Sequence, residues 1–145
     1  MFDYSKYYNQ ILELDPETKR ARVQPGVICD QLRNAAEEHH LTYGPDPATH
    51  EYCTFGGMLG NNSCGTHSII AGKTSDNVHE LDVLLYDGTR FTVGATSDEE
   101  LDTIVAAGGR KGEIYKARRD LRSAGDCMSL SSCLGASLRS ASVGP

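Results

Sequence analysis

Glycines and short polar side chains concentrate in one stretch of this 145-residue chain, between Gly44 and Asp76. Glycine lets a backbone adopt positive φ angles and come close to a bulky group, and hydroxyl and amide side chains add hydrogen-bond donors and acceptors. Long loops in compact domains are usually functional or disordered, and the apolar residues here argue against disorder. We therefore interpret the stretch as a loop that wraps a ligand. Its glycines are Gly44, Gly56, Gly57, Gly60, Gly65 and Gly72, and its polar residues include Thr54, Asn61, Asn62, Ser63, Thr66 and His67.

Cysteine and histidine in the same stretch raise two other kinds of chemistry. A nucleophilic cysteine needs a base and an oxyanion site, and His67 lies only three residues from Cys64, but this spacing does not establish the geometry. For both Cys64 and Cys53, a buried or neutral thiol is the favoured interpretation. The five cysteines contain no CxxC pair, and the five histidines contain no HxxxH pair. We therefore expect no metal site.

Composition and charge exclude several classes of function. Hydrophobic residues make up 39% of the chain and charged residues 23%, which is typical of a globular protein. A net charge of −6 disfavours nucleic-acid binding. No apolar run approaches the roughly 20 residues that span a bilayer, and the first ten residues lack the pattern of a signal peptide. We therefore expect a cytoplasmic protein without a membrane span.

The elements before the glycine-rich stretch are a hairpin and a helix. Short apolar runs at 11–14 and 21–23 flank Asp15-Pro16-Glu17-Thr18, and proline presets the φ angle of a turn, so this pattern predicts a β-hairpin. Apolar residues at helical spacing then predict a helix from about Asp30 to His40. Asp30 or Cys29 would precede its first turn, and Asp30 is the better N-cap of the two.

The elements after the stretch have stronger local signals. Alternation over 81–85, then Asp87-Gly88 and a returning strand at 89–93, predicts a hairpin. Leu84 and Tyr86 suggest that both of its faces are at least partly covered. Ser97 and Glu100 form a capping box for a helix that ends at Gly108-Gly109. A basic helix is predicted from Gly112 to Arg122, and the serine-rich residues 123–145 are expected to form a disordered tail.

Several of these segments together resemble one known family. They are RVQPGV (22–27), GPDPAT (44–49), TFGGMLGNNSCGTHS (54–68) and AGKTSDNVHELDVLLYDGT (71–89). Their sequences resemble those of the FAD-linked oxidases of the vanillyl-alcohol oxidase type, which carry a PCMH-type FAD-binding domain. Within that family, it is closest to flavoproteins of the glycolate oxidase and D-lactate dehydrogenase kind.

The resemblance implies a fold and a division of the chain. Residues 1–122 would form the second subdomain of the FAD-binding domain. This is an α+β fold with a mainly antiparallel sheet and flanking helices. The first subdomain, with its pyrophosphate loop, would be absent from this sequence, and residues 123–145 would lie outside the family's pattern. The chain would then be one part of a larger flavoprotein.

The resemblance also implies FAD as the cofactor and assigns residues to it. A flavin needs backbone and small polar groups along its ring, while the ring itself performs the redox step. In the family, the glycine-rich stretch would approach the pyrophosphate and the flavin, and the segment around Asp76 would return the chain to the sheet. The implied cofactor-binding residues are Pro45, Asp46, Pro47, Cys53, Thr54, Gly56, Gly57, Gly60, Asn61, Asn62, Ser63, Cys64, Gly65, Gly72, Asp76 and Val78.

The implied activity is oxidation of a 2-hydroxy acid such as lactate, glycolate or 2-hydroxyglutarate. The partners would be FAD, that substrate, and an electron-acceptor protein or an iron–sulfur region. No catalytic residue can be assigned from this sequence. The alternative is a truncated, non-catalytic fragment that acts as a binding or interaction module.

Overall fold

The computed structural model describes residues 3–124, which divide into two compact units. We call residues 3–78 the N-terminal unit and residues 79–124 the C-terminal unit. Each unit combines helices with a two-stranded antiparallel sheet, so the predicted α+β class is confirmed. The tail was expected from 123 to 145, and residues 125–145 lie outside the described residues. The last helix continues to Ala124 and therefore includes the first two residues of that predicted tail.

The N-terminal unit begins with the predicted hairpin. Strand β1 (Ile11–Asp15) pairs antiparallel with β2 (Arg20–Val23). The Asp15 carboxylate accepts hydrogen bonds from the Glu17 N–H at 2.9 Å and the Thr18 hydroxyl at 2.6 Å, which fixes the turn.

Helix α1 (Cys29–Glu37) is shorter at its C-terminus than the predicted helix and has a different cap. Its N-cap is Ile28, and not Asp30, because the Ile28 N–H is bonded by the Gln31 side chain at 2.9 Å. The helix closes through a hydrogen bond from the Leu41 N–H to the Ala36 carbonyl at 3.1 Å. His40 adopts a φ of 57° in this turn, so the chain leaves the helix before the predicted end.

The glycine-rich stretch is not the structureless loop that the sequence predicted. It contains helix α2 (Phe55–Asn61), helix α3 (Ser68–Ala71) and a 3₁₀ turn at Thr74–Asn77. Phe55 and Met58 are buried in the core, and this burial overrides the low helix propensity of the three glycines within α2.

The core of the N-terminal unit lies between α1, α2 and the first hairpin. Its buried cluster consists of Val27, Cys29, Leu32, Tyr43, Phe55 and Met58, with residues of β1 and β2 packed against it. The Tyr43 and Phe55 rings meet edge to face at 5.1 Å between centroids. Tyr43 immediately precedes the glycine-rich stretch, and Phe55 and Met58 lie within it. The core therefore anchors the stretch at both places.

The C-terminal unit opens with the second predicted hairpin. Strand β3 (Glu80–Leu84) pairs with β4 (Arg90–Gly94), and Gly88 has the positive φ of 83° that its turn requires. The expectation that both faces are covered is wrong, since Leu84 is 70% exposed and Tyr86 fully exposed. Only the face with Leu81 and Val83 is half-buried.

Two helices complete the C-terminal unit. Helix α4 (Asp98–Ala107) has the predicted capping box, in which Ser97 and Glu100 exchange hydrogen bonds of 2.9 and 3.2 Å. It ends at Gly108, as predicted. Helix α5 (Gly109–Ala124) starts three residues earlier than predicted. Its Arg119 bonds to Asp102 of α4 at 2.9 Å.

Candidate functional site

The first turn of α2 carries three of the residues expected to contact FAD, and its backbone donors are already engaged. The Phe55 N–H bonds to the Val27 carbonyl at 2.9 Å, and the Gly56 N–H bonds to the Pro25 carbonyl at 2.8 Å. Thr54 satisfies the next two donors: its hydroxyl accepts from Gly57 at 3.3 Å and its carbonyl from Met58 at 2.8 Å. Because all four N–H groups of this turn have protein partners, none is left over for a phosphate group.

The opposite side of α2 is uncovered. Gly57, Gly60 and Asn61 recur at helical spacing on α2, and Cys64 follows three residues after the helix ends; all four are exposed. A Cβ atom at Gly60 would have no other atom within 4 Å. Since two of the four positions carry no side chain, a flat group can approach the helix backbone here. This surface, which we call the glycine face, is the part of the stretch open to a ring system.

The remaining predicted glycines approach other parts of the protein. A Cβ at Gly44 would lie 2.7 Å from the Cβ of Ala71, and one at Gly56 would lie 3.0 Å from that of Pro25. A Cβ at Gly65 would overlap the backbone carbonyl of Asp46. Gly72, in contrast, is required by its φ of 77°. Most of these glycines therefore serve close packing within the fold, and only Gly72 supplies a positive φ.

Polar side chains of the stretch bond mainly to one another and to the backbone. The Asn62 side chain accepts from the Ser75 N–H at 2.9 Å, and Ser63 donates to Asn61 at 2.6 Å. Thr74, which is completely buried, donates its hydroxyl to the Ser63 carbonyl at 2.8 Å. These hydrogen bonds tie the end of α2 to the 3₁₀ turn.

Residues 73–78, at the end of the glycine-rich stretch, are held in the same way. The Asp76 carboxylate accepts from the Lys73 N–H at 2.9 Å, and the Asn77 amide donates to the Ala71 and Lys73 carbonyls at 2.8 and 2.9 Å. Val78 follows the 3₁₀ turn and is half-buried.

An ion-pair network lies beside this stretch, and four of its five members were not predicted as cofactor-binding residues. Arg33 bonds through Nη1 to Asp46 at 3.0 Å and to Asp30 at 3.3 Å. The Nδ1 atom of His50 lies 2.8 Å from Asp30, and the Nδ1 atom of His67 lies 3.0 Å from Asp46. The only sequence signal was the spacing of Asp30 and Arg33 on one helix face, because the link from Arg33 to Asp46 spans 13 residues.

Two cavities of about 300 Å³ each flank the network, and His50 lines both. This volume is at the lower end for small-molecule sites, so either cavity could hold only part of a molecule as large as FAD. The first cavity is lined by Asp46, Pro47, Ala48, His50, Cys64, Gly65 and Thr66. The second is lined by Asp30, Arg33, Asn34, Glu37, Leu41, Thr42 and His50.

The described cysteines differ in accessibility. Cys29 is completely buried, and burial, with a smaller effect of neighbouring Cys53, raises the pKa of its thiol to about 12. Cys53 is half-buried against the core, while Cys64 is exposed at the first cavity. Burial also raises the pKa of Tyr43 to about 12. Cys29 is therefore a neutral core residue, and only Cys64 offers an accessible thiol among these three.

The described part of the chain holds neither a cluster of metal ligands nor a helix suited to a membrane. Residues 3–124 contain no group of three or more His, Cys, Asp or Glu side chains arranged to hold a metal ion. None of the helices in this range is both long and apolar enough to cross a bilayer.

Comparisons with known proteins agree on one family. A family model described as an FAD binding domain matches residues 1–94. The D-2-hydroxyglutarate dehydrogenase of Pseudomonas putida is 38% identical over 120 residues, which are 83% of this chain and 12% of that protein. The glycolate oxidase subunit GlcD of Bacillus subtilis is 42% identical over 89 residues, or 61% of this chain and 19% of that protein. The D-lactate dehydrogenase of Anaerostipes hadrus is 35% identical over 88 residues, or 61% and 18%.

The chain thus spans between about an eighth and a fifth of the length of these relatives. The match of residues 1–94 covers the whole N-terminal unit and the second hairpin, and therefore includes the glycine face and the ion-pair network. On this match, the chain belongs to the FAD binding domain family, whose common property is the binding of FAD.

Proposed function

We propose that this chain is the FAD-binding part of a flavin-dependent oxidoreductase that oxidises a 2-hydroxy acid. Three relatives are named for D-2-hydroxyglutarate, glycolate and D-lactate, which all carry a hydroxyl group beside a carboxylate. The proposal is limited to this substrate class. FAD, when bound, supplies the two-electron acceptor for such an oxidation.

The observation that carries the proposal is the glycine face of α2. It is the one part of the predicted FAD-binding stretch that combines uncovered backbone with exposed flanking side chains in the described residues. We propose that Gly57, Gly60, Asn61 and Cys64 contact FAD directly. The other predicted residues would support the glycine face from inside the protein, since their polar groups and close contacts are directed into the protein.

The wider context of the proposal comes from the family. Residues 1–122 would act together as one part of the FAD-binding domain, and an electron-acceptor protein or an iron–sulfur region would take the electrons onward. A cytoplasmic location belongs to the same proposal.

A flavin titration of the purified 145-residue chain tests the FAD site. We expect the chain to retain flavin absorbance through gel filtration. The substitution Gly60→Ala should raise the dissociation constant for FAD at least tenfold, because a methyl group would stand on the glycine face. The same substitution should stabilise the exposed helix by about 1 kcal/mol, since alanine has the higher helix propensity.

The two opposite effects make the test specific. Ala106→Val, which adds bulk at an exposed position of α4, is the control and should leave FAD binding unchanged. A Gly60→Ala variant that is more stable and binds FAD as well as the unsubstituted chain would refute the glycine face as a contact. A folded, colourless chain that ignores added FAD would refute FAD binding by this chain alone.

A second candidate function is a non-catalytic interaction module. It is favoured by Ile69 and Ile70 on α3, which are each 95% exposed and form an apolar surface of the kind found at protein interfaces. Failure to bind FAD, together with concentration-dependent self-association that Ile69→Ser abolishes, would support this function over the first.

A further inference from the structure

Asp46 is bonded from two directions by parts of the chain that are distant in sequence. One carboxylate oxygen, Oδ1, lies 3.0 Å from Nη1 of Arg33 in α1. The other, Oδ2, lies 3.0 Å from Nδ1 of His67. Arg33 thus donates a hydrogen bond to Oδ1, the His67 ring lies against Oδ2, and the Asp46 side chain is only 21% exposed.

Arg33 connects this carboxylate to the scaffold of the N-terminal unit. Asp30 and Arg33 lie on one face of α1, and Nη1 of Arg33 also bonds to Asp30 at 3.3 Å. His50 approaches both Asp30 oxygens at 2.8 Å. The Arg33 side chain is 28% exposed, so its ion pairs are screened less by solvent than those of a fully exposed surface pair.

The backbone of Asp46 transmits this anchoring to the end of the glycine-rich stretch. Its carbonyl group lies directly against the α-carbon of Gly65, where no Cβ would fit. Pro45 and Pro47 on either side are buried and have restricted φ angles, so the segment moves as a stiff piece. A movement of Asp46 toward Gly65 would therefore push Gly65 and neighbouring Cys64 out of place, because the contact leaves no gap.

We propose that Arg33 is a positioning residue that fixes the Cys64–Gly65 end of the glycine face through Asp46. Asp46 then serves as a structural link and does not bind the cofactor through its carboxylate. The inference rests on the proposed function in one respect: the glycine face, whose position Arg33 fixes, is the proposed FAD contact. The ion pairs and the backbone contact stand without it.

Amide hydrogen exchange of the whole chain without FAD provides the first test. The Gly65 N–H bonds to the Ser68 hydroxyl at 3.0 Å, and the Met58 N–H bonds to the Thr54 carbonyl inside the core region. In Arg33→Gln, we expect at least tenfold faster exchange at Gly65 and less than twofold change at Met58. Arg22→Gln removes an exposed arginine of β2 and should change neither amide. An equal acceleration at both amides in Arg33→Gln would overturn the proposal.

Rescue and coupling provide the second test. Arg33→Lys keeps a single nitrogen donor and a positive charge, so it should restore Gly65 exchange to within threefold of the unsubstituted chain. Asp46→Asn should accelerate Gly65 exchange as Arg33→Gln does. The double variant should be no worse than either single variant, because both changes break the same Arg33–Asp46 ion pair. Multiplicative effects in the double variant would refute the link.

The FAD titration separates this proposal from the proposed function. If the chain binds FAD, Arg33→Gln should weaken binding at least fivefold, Arg33→Lys should restore it, and Arg22→Gln should leave it unchanged. Unchanged FAD affinity in Arg33→Gln, with faster Gly65 exchange, would refute the positioning role. If the chain does not bind FAD, the proposed function fails, while the exchange and coupling results still decide whether Arg33 fixes this segment.

Discussion

The two units differ in how their chains are held. The N-terminal unit buries a cluster of six apolar residues and links its glycine-rich stretch by hydrogen bonds between segments far apart in sequence. The C-terminal unit relies on a hairpin, a capping box and ion pairs on its surface. Tyr115 is its one buried large apolar side chain among the described residues, whereas Leu84, Tyr86 and Leu121 are exposed.

The contrast between the units indicates where a binding surface can be built. A wall that must hold its shape against a ligand needs long-range support, which the N-terminal unit supplies through its core and its ion-pair network. The C-terminal unit has stronger local signals but a smaller buried core, and small two-stranded sheets gain little stability by themselves. The proposed FAD contacts accordingly lie in the unit with the larger core.

The largest expected effect on stability comes from truncating Met58, which is completely buried in the core. Met58→Ala should lower the free energy of unfolding of the N-terminal unit by about 4 kcal/mol, because it removes apolar contacts and leaves a cavity. Urea titration followed by NMR methyl signals of Val27 and Leu32 measures this change. Leu84→Ala, at a 70% exposed position of the C-terminal unit, is the control and should cost less than about 1 kcal/mol. Equal costs would contradict the contrast between the units.

The next effect concerns the contact between Gly65 and Asp46. Gly65→Ala should destabilise the N-terminal unit by about 3 kcal/mol, because the new Cβ would overlap the Asp46 carbonyl and the backbone must shift. The same urea titration, together with chemical shifts of residues 44–50, measures the cost and its location. A stability equal to that of the unsubstituted chain would show that this contact is not tight.

Alkaline pH should lower the free energy of unfolding of the N-terminal unit in particular. The folded-state pKa of Cys29 is raised by burial from 9.0 to about 12, so its stabilising contribution is complete below pH 9 and is lost as the pH rises toward 12. Tyr43 acts in the same direction. At about pH 10.5, the Cys29 thiol alone should reduce the free energy of unfolding by on the order of 2 kcal/mol relative to pH 7.

Urea titrations from neutral to alkaline pH, read from the methyl signals of each unit, measure this dependence. Cys29→Ala removes one titrating group and should flatten the decline in the N-terminal unit. A decline of the same steepness in Cys29→Ala would assign the effect to other groups.

The smallest effect concerns the local cap of the C-terminal unit. Ser97→Ala should destabilise α4 by about 1 kcal/mol, because the Glu100 N–H loses its partner. Faster amide exchange in the first turn of α4, with unchanged exchange at Met58, is the expected measurement. Ser97→Asp keeps an acceptor at the cap and should restore the original exchange rate.

Short-range patterns predicted the elements well. The Asp87-Gly88 turn, the Ser97–Glu100 capping box and the first hairpin all appear where the sequence placed them. Each depends on residues within a few positions of one another, so the local sequence contains the relevant interactions. The Asp30 cap was wrong because the Gln31 side chain reaches back to the Ile28 N–H and starts the helix one residue earlier.

The glycine-rich stretch shows what local patterns missed. Its glycine content predicted a loop, whereas burial of Phe55 and Met58 makes part of it helical. The resemblance pointed to the correct family and to FAD, since those depend on the order of residues along the chain. The roles of Arg33 and His50 could not be predicted, because their partners are brought together only by folding.

The family, the α+β class and the elements with local caps and turns could thus be predicted from the order of residues along the chain. Which glycines face open space, and which pack against Pro25, Ala71 or Asp46, depends on the folded arrangement. The physical reason is that a glycine's role depends on the atoms opposite its missing Cβ, and those atoms belong to other segments. In this chain, that distinction separates Gly60, open to a ligand, from Gly65, which is packed against the protein itself.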